Sequence, residues 1–585
     1  MKRMHRVVTG MALLIAVALV GRAQGQALEQ VPSNATGVFT VKNLQALSDK
    51  IAKLAKTLGV DQMEPRFADP LGSLMTEMDV KQGLNKSGDM AIGFIKPTKG
   101  AEKQEPDLVV VLPVDDYKAF LENFDNVKDT GNGISEATVK KNNEKLLIVH
   151  RGKYAVAAMN KDLVSGPGGF KLQGSAVKEA QTRDALLYID LKSIRSELQD
   201  GYQKAREEFK KALEDPNNPA AAAGMNVKMP PFVFAMYDKA ATELINGTRT
   251  LAISFNLNDV GLGAALLGDF EPDSYVGKLV AKSKNADRSV LSGLPDRQYL
   301  MYGGATLTPE VTQTLFNDFV DILKKNPGDM KKEDIEKYSE TARKSLGSMK
   351  SVNFGLVQPQ QGEPFIQVVE LIRGDANQIL DTSKQAMPFT NNMMSGMNNQ
   401  KAKASIKLGD PTTVDGVKLT PYTVNMEFDE KDPAAANQKQ ILAMMYGPNG
   451  ISGQMGVINP NLFLSIMTPN QQLVSDAIAA AKADKDTLSK SEALKSVADQ
   501  LPKQRGAEFY IALDNIAMTA VAVAKQQGLP VQFKLPPNLP PIGVSMASDG
   551  NTCRIDGFIP TRLVESMTAA VLQAMNNQGG AGKGI

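Results

Sequence analysis

The sequence predicts an α+β protein made of tandem β-α-α-β-β-α units, with antiparallel sheets carrying helices on one side. Two observations support this. A short alternating apolar run leads directly into an amphipathic helix four times: 38–41 before Leu44, 187–190 before Ile194, 299–302 before Leu307 and 509–512 before Ile516. Each opening is followed, in the same order, by a pair of further strand-like runs and then a helix-start signal. Recurrence of one supersecondary pattern marks a fold assembled from copies of a unit.

In the first copy, Leu44, Leu47, Ile51, Leu54 and Leu58 repeat at 3-4-3-4 spacing, while Lys50, Lys53 and Lys56 take the wet face. That pattern is one buried helical stripe. A second helical stretch is expected near 70–84, broken by Gly83, then strands over 90–95 and 108–112, then a helix over 117–124 that Asp115 can cap. The same order returns with strands 251–255 and 262–267, 352–357 and 365–371, and 542–546 and 553–559. Each second strand ends at a polar or proline-bearing turn: Glu271-Pro272-Asp273, Asp375, and Pro560-Thr561. These are helix-start signals.

Copies one and three carry an extension that two and four lack. Val139, 146–149 and strand 154–159 run into Asn160 and Leu163-Val164-Ser165; 417–419, 422–426 and 463–467 run into Asn470 and Leu473-Val474-Ser475. The order long, short, long, short implies internal duplication of a two-unit block with its seam near 288–296. The expected organisation is a signal peptide over 1–27, then a first block over 28–287 (long unit 31–180, short unit 181–287). A second block follows over 288–575 (long unit 288–500, short unit 501–575), and a disordered Gly- and Asn-rich tail over 576–585. The Pro-, Asn- and Ala-rich stretch 215–231 reads as a surface loop, and the five prolines within 530–541 exclude a helix interior or central strand.

The N-terminus sets the destination. Lys2, Arg3 and Arg6 precede the apolar stretch 7–20, and Gly25-Gln26-Ala27 offers a small-x-small cleavage site, which together make a secretory leader. The apolar stretch falls short of the roughly 20 residues that cross a bilayer. The expectation is a periplasmic or secreted protein with no transmembrane anchor after leader removal. Four of the 66 basic residues leave with the leader, so 62 remain against 64 acidic ones. That balance, with no tryptophan and 6% aromatics, gives no basic surface for nucleic acid. Cys553 is the one cysteine, so no intrachain disulfide forms.

Inventory excludes most catalytic constellations. Once His5 leaves with the leader, His150 is the one imidazole, too few for a histidine-based zinc site. Gly450-Ile451-Ser452-Gly453 lacks the spacing of a nucleophile elbow. Gly261-Leu262-Gly263 lacks the third glycine of a dinucleotide turn and reads as close strand packing. Asp115-Asp116 sits where carboxylates cap helices, and Asp190 and Asp514 are taken as equivalent turn residues. The methionines alone offer soft ligands. Met387, Met393, Met394 and Met397 lie in an Asn-rich stretch where thioethers could hold Cu(I), with Met393, Met394 and Met397 the metal candidates. The alternative is methionine filling gaps in a core. No cofactor and no catalytic residue is expected.

The leader, the Pro-x-Asn/Asp start of the units and the Met-, Asn- and Gln-rich body resemble uncharacterised secreted proteins of planctomycete-type bacteria. The opening Phe509-Tyr510-Ile511-Ala512-Leu513-Asp514 loosely resembles an exported bacterial domain family of unknown function. Neither resemblance implies an activity. The expected function is a non-catalytic binding or structural role in the periplasm or cell envelope, with an envelope protein or an apolar ligand as partner. The alternatives are a glycan-acting hydrolase, which needs two carboxylates about 5–10 Å apart, and an apolar-ligand carrier, which needs a long empty cavity.

Overall fold

The fold is given by a computed structural model that describes residues 26–579, apart from 63, 97–105, 215–230, 329, 361, 398–401, 429–434, 448–449, 527 and 529–532. The leader and nearly all of the expected loop at 215–231 lie outside the described residues. The class is α+β with antiparallel strand pairing throughout the described ladders. In chain order the strands are β1 Ala35–Val41, β2 Met90–Ile95, β3 Asp107–Pro113, β4 Asp125–Asp129, β5 Ile134–Thr138, β6 Lys145–Arg151, β7 Tyr154–Ala158, β8 Ala185–Asp190, β9 Thr248–Asn258 and β10 Gly261–Phe270. Then come β11 Tyr299–Thr306, β12 Ser351–Val357, β13 Val368–Arg373, β14 Ala402–Leu408, β15 Thr412–Val414, β16 Val417–Phe428, β17 Ile451–Asn459, β18 Leu462–Met467, β19 Ala507–Ile511, β20 Ile542–Asp549 and β21 Thr552–Pro560.

The chain forms two compact units, neither of them contiguous in sequence. The first comprises 1–196, 247–272 and 551–572; the second comprises 197–246, 273–550 and 573–585. The blocks expected from the sequence were contiguous. Segment 551–572 belongs to the first unit because β21 pairs with β10 along its whole length, from Gly261 opposite Pro560 to Asp269 opposite Thr552.

The strand order of the first unit is β21-β10-β9-β8-β1-β2-β3-β7-β6-β5-β4. The second runs β20-β19-β11-β12-β13-β18-β17-β16-β14, with β15 also on β16. From β9 to β4 and from β20 to β14 the two orders match strand for strand, and β8 and β19 hold the same place. The register matches as well. Val38 lies between Tyr188 and Gly93 as Tyr302 lies between Tyr510 and Gly355. Both first strands carry an irregularity at the same point, between Ala35 and Gly37 and between Tyr299 and Met301.

Helices cover both faces of the first unit's central strands, where the sequence reading expected one. Val38, Ala91, Val109, Val111, Leu186 and Tyr188 pack with Ala27, Leu28, Val164 and Ala176 on one face. Phe39, Val41, Met90 and Ile92 pack with Leu44, Leu47, Ile51 and Leu71 on the other. Alternate side chains of a strand point to opposite faces, and here both sets are apolar, so each face needs a cover. The helix Leu44–Leu58 supplies the stripe read from the sequence and ends at Gly59, whose φ of 67° is the left-handed conformation glycine adopts without strain. The stretch expected as a helix near 70–84 is helical over Pro70–Glu77 only. The last helix, Thr561–Gly579, continues past the expected boundary at 576. No helix among the described residues is long and apolar enough to cross a membrane.

Candidate functional site

A polar cleft of about 850 Å³ lies within the second unit. Its floor is β11, whose Tyr299 and Tyr302 are 3% and 8% exposed. Their rings lie 5.3 Å apart, and Tyr302 stacks on Tyr510 at 5.3 Å. The Tyr299 hydroxyl donates to the Pro295 carbonyl at 2.6 Å. Burial raises both phenols well above their ordinary pKa, and the carboxylates of Glu508, Asp514 and Asp486 push Tyr302 further in that direction.

One wall is built around Glu363. Gln367 Nε2 and the Gln360 backbone N–H each donate to Glu363 Oε2 at 2.9 Å, and Asn470 Nδ2 donates to Oε1. Gln367, fully buried, accepts in turn from Thr468 Oγ1 at 2.6 Å. Asn470 also accepts from the N–H groups of Gln472 and Leu473, so the residue that starts the helix Gln471–Ala483 positions the acid.

The opposite wall is the start of the helix Leu513–Gln526. Asn515 Nδ2 donates to the Tyr299 carbonyl at 2.8 Å, which fixes this helix against the end of β11. Asp514, 4% exposed, accepts the Leu539 N–H at Oδ2 (3.2 Å), while its Oδ1 has no partner among the described residues. Two more lining groups share that condition. Gln358 donates from Nε2 to Thr519 Oγ1 at 3.4 Å, yet its Oε1 is buried without a donor, as is Thr487 Oγ1. Buried polar atoms are normally satisfied, and these three, though on residues that line the cleft, are sealed from it. Of the cations lining it, Arg297 is paired with Asp476 (Nε to Oδ2, 2.8 Å) and Lys490 is exposed.

In both units the chain ahead of the first strand packs on the central strands: in the second, Val290, Leu291 and Leu294 are buried and Asn353 Nδ2 donates to the Ser292 carbonyl at 2.8 Å. The helix Gln26–Gln30 packs on β1, β2, β3 and β7, the counterparts of β11, β12, β13 and β18, and buries Ala27 and Leu28 there.

Neither a family model nor a curated protein sequence matches this chain. Among solved structures it is similar to three crystal forms of TP0453. Form I shows 12% identity, with 42% of this chain and 80% of that chain covered, at a TM-score of 0.21. Form III shows 10% identity over 48% and 99%, and form IV 11% over 50% and 98%, both at 0.19. Overlap this slight carries no argument about the function of this chain.

The residues singled out in the sequence fall elsewhere. The helix Ala376–Met397 passes through Met393, Met394 and Met397, whose side chains lie outside the described residues; Met387 packs against the cluster of Ala376, Ile379, Met455 and Phe463. His150 is exposed and stacks on Tyr117, centroids 4.4 Å apart. Burial raises the Cys553 thiol above its ordinary pKa, which disfavours a nucleophilic thiolate. Asp116 caps a short helix by accepting the Ala119 N–H at 3.0 Å. No group of three or more His, Cys, Asp or Glu side chains suited to a metal occurs among the described residues.

One pairing from the sequence is corrected. The ladders set Ile189 opposite Gly37 and Ile511 opposite Met301, so Asp190 corresponds to Ala512 and not to Asp514. Asp190 is a turn residue, its Oδ1 accepting the Ser193 N–H at 3.2 Å. Asp514 lies two residues further on and lines the cleft. The sequence signal existed: aligning Leu187-Tyr188-Ile189 on Phe509-Tyr510-Ile511 leaves Asp514 without an acidic counterpart.

Proposed function

We propose that this chain is an exported, non-catalytic binding protein whose ligand site is the cleft of the second unit. The observation that carries the reading is the cavity of about 850 Å³ itself, lined by the polar residues Gln358, Glu363, Asn470, Thr487, Asp514 and Asn515. A cavity of that size with a few convergent polar groups is the ordinary form of a small-molecule site. Internal duplication belongs to the same proposal, supported by matching strand order, register and first-strand irregularity. A rigid superposition that failed to overlay β1–β9 on β11–β20 would count against it. Export rests on the N-terminal leader pattern alone.

Two observations set the alternatives lower. Glu363 has its oxygens engaged by three donors and Asp296 is exposed at the rim, so the cleft offers no second free buried carboxylate for hydrolysis. The apolar pocket bounded by Leu44, Leu71, Leu74 and Met75 in the first unit has a volume of about 30 Å³, room for one water and not for an apolar cargo. The test uses Ala493→Trp, which places an indole into the cleft from the half-exposed helix Glu492–Ala498. A fragment screen by ligand-observed NMR should yield binders that this variant loses while its melting temperature is unchanged. Binders indifferent to Ala493→Trp would place the site elsewhere and sink the proposal.

A further inference from the structure

The expected leader boundary and the fold conflict. Three small-x-small registers follow the apolar stretch: Gly21-Arg22-Ala23, Ala23-Gln24-Gly25 and Gly25-Gln26-Ala27. The third, read from the sequence as the cleavage site, ends inside the helix Gln26–Gln30. Ala27 is fully buried and Leu28 nearly so. Both belong to the apolar cluster of Val31, Val38, Val109, Val111 and Tyr188. The backbone that follows is tied down as well. The Val31 N–H donates to the Leu28 carbonyl at 3.1 Å, and the Val31 carbonyl accepts from the N–H groups of Gly169 and Phe170 at 3.0 Å. Arg151 Nη1 donates to the Gln30 carbonyl at 3.3 Å. The second unit repeats the arrangement in mid-chain, where leader removal plays no part. Leu291 stands as far ahead of Tyr299 as Ala27 does ahead of Ala35, and it too is buried.

We infer that the leader is removed ahead of Gln26, after Ala23 or Gly25, and that Ala27 stays with the mature chain as a core residue. The inference rests on the reading of the N-terminus as a secretory leader. A cut after Ala27 would turn the Leu28 nitrogen into an α-ammonium, charged at neutral pH, where Ala27 now meets the apolar cluster. Burying a charge without a partner is costly. The same cut would strip the helix of its first two residues and leave less than one turn. The upstream registers satisfy the same small-residue requirement without either loss. Gln26 is exposed, so a cut before it leaves the new charge ahead of the buried residues and the helix whole.

The test reads the N-terminus directly. The full chain with its leader is expressed in a secreting bacterium, and the N-terminal peptide of the exported protein is identified by mass spectrometry. The expected first residue is Gln24 or Gln26. A chain beginning at Leu28 would overturn the inference and leave export standing. A chain still beginning at Met1 in the membrane fraction would remove the leader reading and the inference with it. A second measurement compares chains freed from a cleavable fusion so that they begin at Gln24 or at Leu28. The Leu28 chain should melt at least about 3 °C lower and lose amide protection along β2 and β3, on which the helix packs. Equal melting temperatures and equal protection would show that Ala27 contributes nothing to the core, and the inference would fall.

Discussion

Glu179 of the first unit is 3% exposed and accepts from Arg183 Nε at 2.9 Å, from Ser254 Oγ at 2.7 Å and from Arg554 Nη1. Burial works against its charge, but the two guanidiniums and the Ser254 hydroxyl outweigh burial and hold its carboxyl below the usual range. A carboxylate with a depressed folded pKa contributes stability above its unfolded value, near 4.3, and loses it as pH falls through the folded value. Glu179→Gln should therefore cost about 3 kcal/mol at pH 7, the scale of breaking a buried pair. The gap between parent and variant should narrow below about pH 4, in urea denaturation followed across pH. A gap independent of pH would show that packing, not charge, sets the loss. None of this was legible in the sequence, since 375 residues separate Glu179 from Arg554. Asp514 was hidden differently: its neighbours gave away a strand and a helix, but burial and an unpaired oxygen are properties of the assembled walls.

At the scale of elements, the sequence was read well wherever an apolar period had one dominant face. Met90–Ile95 and Leu44–Leu58 run as expected. Legibility failed where pattern was absent or interrupted. β4, Asp125–Asp129, is exposed along its whole length and so carries no apolar signal. Pro421 divided the reading of β16, which is continuous over Val417–Phe428. Cap residues were legible as helix starts but not for what else they hold. Asn160 and Asn470 occupy equivalent places, and each caps its helix. Asn470 alone also donates to Glu363. Replacing Asn160 by Ala should cost about 1 kcal/mol, the ordinary loss of an N-cap. Asn470→Ala should cost about 2, because a hydrogen bond to a charged group goes with the cap. Equal losses in denaturant titrations would mean that the contact with Glu363 contributes nothing.

On the scale of the whole molecule, the rhythm of strands and helices was visible in the sequence, while the membership of each compact unit was not. Sequence order places residues 551–572 at the end of the second block; hydrogen bonding places them in the first unit. The strand β21 closes the edge of β10, and it brings Arg554 to Glu179 and the Thr552 hydroxyl to Asp269 Oδ1 at 2.6 Å. Asp269 is 3% exposed and also accepts from Thr250 Oγ1 at 2.7 Å. Truncation after Gly550 should therefore act on the first unit. It removes a full ladder of backbone hydrogen bonds, strips two buried carboxylates of a partner each and leaves a long unpaired edge, a template for association between chains. Amide hydrogen exchange read by mass spectrometry should show protection falling across β9 and β10 while β11, β12 and β13 keep theirs, because locally connected elements open as cooperative units. The truncated chain should also aggregate more readily than the parent. A peptide spanning 551–579, added in excess, should restore protection to β10 by offering the same edge. If β10 exchanged at the parent's rate after truncation, β21 would be dispensable to the first unit and the assignment of residues 551–572 to it would fall.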